Sequence, residues 1–252
     1  MILLQVALLA EAKPLIEYFG LKQIEKKGFS IWAGSNMQLV LSGVGKQNAA
    51  MATSYLAGRE EGIGFLNVGI CGHSHWDVGE GFLAHQIKDG KRIFYPTFSF
   101  DWKDKTDCLF CVEDVELNYE DKGGYDMESA GFFQAASKFI SLEQIHSYKV
   151  ISDHPDSPTH FVTRKRVHEL MTAHLQKLDS VIEKMREMGK KKKERQVEID
   201  PDGYYDQTHF TQAQKNRFED LLKRATAMGV AVDIEGNAQE MIHQMETFIR
   251  EY

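Results

Sequence analysis

Residues 2–9 read ILLQVALL, an apolar run broken only by Gln5. A run without alternation predicts a strand buried on both faces, and such strands belong to sheets covered by helices on two sides. The segments outward from it keep that pattern. Lys13 to Phe19 predicts a short helix. FSIWAG (29–34) and MQLVLSG (37–43) predict two strands about Ser35-Asn36, a hairpin signal. Gln47 to about Arg59, rich in Ala and Met, predicts a helix. GFLNVGI (64–70) is a second buried strand, followed by the Gly-rich CGHSHWDVGEG. FLAHQIKD and RIFYP predict a hairpin about Gly90, and CLFCVED (108–114) predicts a further strand. Asp126 to Phe139 predicts a helix and HSYKVISD (146–153) a strand. This alternation places the chain in the α/β class, with a mixed central sheet flanked by helices.

The pattern changes in the last third. Val167, Leu170, Met171, Leu175, Leu178, Ile182 and Met185 recur at spacings of three and four, which predicts one long helix from Thr163 to about Met188, with Thr163 as its cap. GKKKKER (189–195) and the Pro- and Gly-containing EIDPDGYYDQ then predict a charged linker over 189–208. Two amphipathic helices follow. Thr211 caps the first, which carries Phe218, Leu221, Leu222, Ala225 and Met228; the second carries Met241, Ile242, Met245, Phe248 and Ile249. The expected organisation is a main domain over 1–188, the linker, and a helical extension over 209–252. A helical hairpin buries little by itself, so the extension is expected to dock on the main domain or on a protein partner.

Composition narrows the class of function. The chain has 252 residues, 42% apolar and 27% charged, which is globular and not disordered. Its net charge of −7 argues against a dedicated nucleic-acid binder, which needs clustered Lys and Arg. No apolar run approaches the roughly 18 residues that span a bilayer, so no membrane association is expected. The apolar start lacks a preceding basic segment and runs at once into Glu11 and Lys13, which reads as a strand and not as a signal peptide. Three cysteines, Cys71, Cys108 and Cys111, suit a reducing compartment without a disulfide framework, and the expected location is the cytoplasm.

Ligands of open α/β sheets bind beyond the carboxyl ends of the strands. Here those ends are Ala10-Glu11, Ser42-Gly43-Val44-Gly45-Lys46, Gly69-Ile70-Cys71-Gly72 and Ser152-Asp153. If the strands are parallel, two acids and two glycine-rich turns meet on one rim. SGVGK is neither a Walker loop nor a dinucleotide fingerprint, and serves equally as a tight strand-to-helix turn. In YDMESAGF (125–132), acids at a helix start suit the positive end of the helix dipole and need no ligand.

Taken together and in order, VALLAEAKPLIEYF, LVLSGVGKQNAAMATSYLA, FLNVGICGHSHWDVGEG, YDMESAGFFQAASKF and VISD resemble the nucleoside phosphorylase and methylthioadenosine/adenosylhomocysteine nucleosidase superfamily, from residue 2 to about 188. The resemblance implies cleavage of the N-glycosidic bond of a purine or modified ribonucleoside. It implies that Glu11 activates water, that Met127 and Glu128 hold the ribose hydroxyls, and that Asp153 protonates the leaving base. Gly43 and Gly45, with Ile70, Cys71 and Gly72, would line the ribose and nucleophile side; Leu8 would lie near the sugar and Ser152 beside the acid. The residue types fit this chemistry. Bond cleavage builds oxocarbenium-like charge on the sugar, and the two acids have opposite protonation demands. The implied assembly is a homo-oligomer, without metal or redox cofactor.

Water is the expected nucleophile. Phosphorolysis needs a cationic site for phosphate, yet no arginine precedes Arg59. A phosphorylase, or a nucleoside-binding module without catalysis, are the rivals. The chain departs from the superfamily at Ile70, where relatives carry a small polar residue. It also departs in the short EDVELNYEDKGG before the Met-Glu pair, where Phe110 or Tyr119 is left to stack on the base, and in the tail after 190. Other motifs read as structural: His73 and His75 as solvated loop histidines, Cys108 and Cys111 as strand residues facing opposite sides, and Lys190–Lys193 as solvated linker. His154, which follows the expected acid, is a candidate for tuning it or for contacting the base.

Overall fold

The computed structural model describes residues 1–156, 162–195, 201–228 and 234–251. The chain divides into two units, Met1–Lys190 and Lys191–Tyr252.

The first unit is built on one ten-stranded sheet. Its strands are β1 (Ile2–Val6), β2 (Lys22–Glu25), β3 (Ser30–Ala33), β4 (Met37–Leu41), β5 (Gly64–His73), β6 (Gly81–Asp89), β7 (Arg92–Phe94), β8 (Thr106–Cys111), β9 (Gly124–Asp126) and β10 (Ile145–Asp153). The core strands β4, β1, β5 and β10 are mutually parallel, as the buried apolar runs predict. β10 pairs with β5 on one edge and antiparallel with β6 on the other. Because β6 pairs with β8, β8 with β9, and β9 with β5, these five strands close on themselves as a small barrel. β1, β4, β3 and β2 extend from it as an open wing.

Strand alternation divides the side chains between two apolar layers. Ile2, Leu4 and Val6 of β1, with Tyr148 and Val150 of β10, face α1 (Leu9–Tyr18), α4 (Arg164–Ala173) and α5 (Leu175–Arg195). Leu3 of β1 and Phe65 of β5 face α2 (Lys46–Ala57) and α3 (Ser129–Ala136). Gln5, the one polar residue of the opening run, has a defined task. Asn67 of β5 donates to it, and its own amide donates to Ser42 Oγ at 2.6 Å, which bonds Gly43 O at 2.6 Å. This buried polar line crosses three strands and holds the turn after β4.

Several elements differ from the sequence expectation. The single helix over 163–188 is two, α4 and α5, broken at His174. The apolar stripe is continuous across the break, so periodicity cannot reveal it. The break lets His174 turn inward, where Nε2 bonds Gly79 O at 2.9 Å and Nδ1 meets the Tyr148 hydroxyl at 2.7 Å. Thr163 caps α4 by accepting from Arg166 N. The lysine run that was expected to open a linker at 189 instead continues α5 to Arg195. Asp126 ends β9 and lies outside α3, so the helix expected from Asp126 begins at Ser129. β2, an exposed edge strand without apolar alternation, was not foreseen.

In the second unit, α6 (Asp202–Tyr205), α7 (Gln212–Ala227) and α8 (Ala238–Glu251) contribute to a core of their own. Phe210, Phe218, Leu221 and Leu222 pack there with Met241 and Met245. Thr211 Oγ1 accepts from Gln214 N as the cap of α7, and Arg217 bonds Glu246 of α8 at 2.7 Å. The three cysteines are free thiols and all are buried. No helix among the described residues is long and apolar enough to cross a membrane.

Candidate active site

The carboxyl ends of β1, β5 and β10 open onto one cavity of about 230 Å³. Eight of the residues expected at the site lie in its wall: Glu11, Ile70, Cys71, Gly72, Met127, Glu128, Ser152 and Asp153. Leu8 lies there too.

Glu11 is the third residue of α1, and its position is set by backbone donors. Leu8 N donates to Oε2 and Ile70 N to Oε1, each at 2.8 Å. Gly69 leaves the room for it: a Cβ there would lie 2.8 Å from Oε1. Burial pushes the Glu11 carboxyl up to about 7, against the pull of the Ile70 amide and of Lys149. A carboxylate poised near neutrality is suited to taking a proton.

Glu128 is the residue just before α3 and is buried. Its Oε1 accepts from Gly45 N at 2.8 Å. Gly43 and Gly45 adopt φ of +83° and +104°, conformations that favour glycine, so the turn after β4 can aim this amide. Val44 between them lines the cavity, and the glycines reach the site through the Gly45 amide that holds Glu128. Burial raises the Glu128 carboxyl, and Lys149 opposes that rise.

Lys149, which sequence reasoning passed over, is central. It sits within β10, fully buried, with Nζ 2.8 Å from Asp126 Oδ2. Burial works against its charge, but Asp126, Glu128 and Glu11 outweigh that cost and hold the ammonium above its ordinary range. Asp126 also accepts from Ser129 N at 2.9 Å and from Ser129 Oγ at 2.6 Å. The one available signal was a lysine inside the otherwise strand-like HSYKVISD.

Asp153 ends β10 and is bonded by hydroxyls, unlike Glu11. Ser152 Oγ donates to Oδ1 and the Tyr119 hydroxyl to Oδ2, both at 2.5 Å. Tyr119 belongs to the segment between β8 and β9, which supplies Val112, Val115 and Glu116 to the same wall. Of the two residues considered for base stacking, Tyr119 reaches the cavity and Phe110 does not. In β8 Leu109 and Cys111 point inward to the apolar layer, so alternation sends Phe110 the other way. It stacks on Tyr125 at 5.0 Å, with the Lys88 ammonium 4.8 Å from its ring.

The histidines settle differently from one another. His73 is not a solvated loop residue. β5 runs on to include it, and its fully buried ring stacks on Trp76 at 4.6 Å and bonds Asp107 at 3.2 Å. His75 is exposed. His154 Nδ1 accepts from Asp156 N and lies outside the cavity wall. Among the described residues no cluster of His, Cys, Asp and Glu is arranged to hold a metal ion.

No protein-family model and no curated protein matches the sequence. Solved structures do match. The 5′-methylthioadenosine nucleosidase of Arabidopsis thaliana aligns at a TM-score of 0.65 and 19% identity, over 73% of this chain and 95% of that one. The 5′-methylthioadenosine/S-adenosylhomocysteine nucleosidase of S. pneumoniae, in complex with a transition-state inhibitor, aligns at 0.59 and 18%, over 70% and 96%. The futalosine hydrolase of Helicobacter pylori aligns at 0.59 and 15%, over 72% and 97%. The first unit therefore shares the fold of these nucleosidases and of the futalosine hydrolase.

Proposed function

We propose that the protein hydrolyses the N-glycosidic bond of a purine or modified ribonucleoside. The observation that carries this reading is the pair of buried acids, Glu11 just beyond the carboxyl end of β1 and Asp153 at that of β10, in one cavity. Glu11 has its carboxyl raised to about 7, and Asp153 is engaged by two hydroxyls. The solved structures that share the fold are nucleosidases and a futalosine hydrolase, which supports the same class of reaction.

In the step, the bond from C1′ to the base breaks and its electron pair leaves with the base. Asp153 is the source of the proton that neutralises the base. Water adds to C1′ and gives its proton to Glu11. Glu128, fixed by the Gly45 amide, accepts from the ribose hydroxyls and holds the sugar while positive charge develops on it. The charge of the wall favours water over phosphate. Glu11, Glu116, Asp126, Glu128 and Asp153 line it, and no Lys or Arg does among the described residues. A phosphate dianion has no cation there to meet it.

The test is release of free base from a panel of purine and modified nucleosides, with and without phosphate, by wild type and Asp153→Asn. Expected is release without phosphate, reduced by about 10²-fold or more in the variant. Release that requires phosphate and yields ribose 1-phosphate would instead assign a phosphorylase. Binding without release from any nucleoside would assign a non-catalytic module.

A further inference from the structure

We infer that Tyr119 stands between Asp153 and the leaving base, and that its hydroxyl relays the proton that Asp153 supplies. This rests on the nucleosidase reading and adds a residue to it.

Four observations converge on the phenol. First, both oxygens of Asp153 are already engaged by hydroxyls, so a proton leaving the carboxyl meets a hydroxyl on either side. The Ser152 hydroxyl also lies 3.1 Å from Cys71 O, on the strand below. Second, Tyr119 is buried and lines the cavity. Third, the hydroxyl has a seat cut for it. A Cβ on Gly72 would lie 2.5 Å from Tyr119 Oη and 3.1 Å from Asp153 Oδ2, so only a glycine at 72 lets phenol and carboxyl meet. Fourth, the backbone is held in an uncommon state to place it. Tyr119 has φ +49°, the one described residue other than glycine in the left-handed region. The Glu116 carboxylate accepts from the N–H groups of Leu117, Asn118 and Tyr119 and fixes that turn, while the ring packs edge-on against Tyr125 at 5.3 Å. Strain retained at a buried side chain bonded to the acid points to a task for that side chain.

The relay balances. When Asp153 is protonated on Oδ2 the Tyr119–Asp153 bond reverses from the direction described above: Oδ2 donates to the Tyr119 oxygen, and the phenol proton passes to a ring nitrogen of the departing base. Asp153 is left as carboxylate and Tyr119 is left unchanged. Water supplies the hydroxyl of the sugar, and its other proton goes to Glu11. Exchange with solvent returns the proton from Glu11 to Asp153.

The experiment compares wild type, Tyr119→Phe and Asp153→Asn on two substrates. One is whichever of adenosine, inosine and 5′-methylthioadenosine the wild type turns over fastest. The other is 4-nitrophenyl β-D-ribofuranoside, whose leaving group departs without a proton. Phenylalanine keeps the ring against Tyr125 and removes only the hydroxyl. The relay predicts that Tyr119→Phe lowers kcat on the nucleoside by about 10²-fold, as Asp153→Asn does, while both keep kcat on the nitrophenyl riboside within about threefold. Three results would overturn it. Equal losses on both substrates would make Tyr119 a packing residue. A Tyr119→Phe enzyme that matches or exceeds wild type on the nucleoside, while Asp153→Asn fails, would make the phenol a plug over an acid that acts directly, and would leave the nucleosidase reading standing. A wild type that cleaves neither substrate would remove that reading and the relay with it.

Discussion

The floor of the cavity and the segment that leans over it are built on opposite principles. The floor is the ends of β1, β5 and β10, all of whose residues but Ile70 and Gly72 of β5 are buried; Glu11 stands on the helix that follows β1, Asp153 ends β10, and Lys149 lies behind them in β10. The overhanging segment, from Val112 to Gly123, has no regular structure and leaves Val115 and Leu117 54% and 68% exposed. Its ties are local: Val112 N to Asp126 O, Glu113 to Lys46 at 2.6 Å, Tyr119 to Asp153, Asp121 to the Tyr125 hydroxyl, and Gly123 to Ser74. Charges that must stay aligned sit on strands, as Asp126, Lys149 and Asp153 do, or at the helix starts beside them, as Glu11 and Glu128 do. The groups that meet a variable part of a ligand sit on a loop, where sequence can change without disturbing the core. Stability and chemistry should therefore respond strongly to the floor and selectively to the loop.

The largest effect is expected from Lys149→Met. It removes the partner of Asp126 and leaves that carboxylate buried among Glu11 and Glu128. Urea unfolding should show a loss of about 3–5 kcal/mol. A loss near zero would mean that the acids of the floor protonate at no cost, and the contrast with the loop would collapse.

Glu11→Gln tests the floor's chemistry. It should lower turnover by about 10²-fold or more, and wild-type kcat should rise with pH through about 7 as Glu11 becomes a base. Stability should move the opposite way. The folded carboxyl titrates near 7 and the unfolded one near 4.5, so its contribution is full below about 4.5 and is lost as pH rises to about 7. Between pH 4 and pH 8 the wild type should lose roughly 3 kcal/mol relative to Glu11→Gln. Parallel stability profiles for the two would show that burial does not perturb Glu11.

The smallest effect is expected at the crest of the loop. Leu117→Ser should change stability by no more than about 0.5 kcal/mol, since the side chain is open to water. A larger loss of stability, with turnover intact, would show that this crest is covered in solution.

These regions also differ in how far they could be read from sequence. ILLQVALL, GFLNVGI and HSYKVISD announce the floor, because a strand buried on both faces leaves an unbroken apolar run that little else produces. Glu11 and Asp153 follow from their places at the ends of those runs. Lys149 was missed because its charge is balanced by Asp126 from another strand, a partnership without local trace. The loop was barely legible. EDVELNYEDKGG offers no period, so Phe110 and Tyr119 were equal candidates until the pleat of β8 turned one away and the Glu116 turn brought the other in. The break at His174 was hidden for a different reason: both helices present the same apolar stripe to the same layer.

The buried cysteines give the molecule a clock. Burial pushes the thiols of Cys71, Cys108 and Cys111 upward, away from the reactive thiolate form. In the folded state Cys108 and Cys111 offer an alkylating reagent neither access nor a nucleophile, whereas Cys71 lies in the cavity wall. Each label that arrives at Cys108 or Cys111 records a moment when the barrel strand β8 came apart, so the rate of modification there measures how often this fold opens.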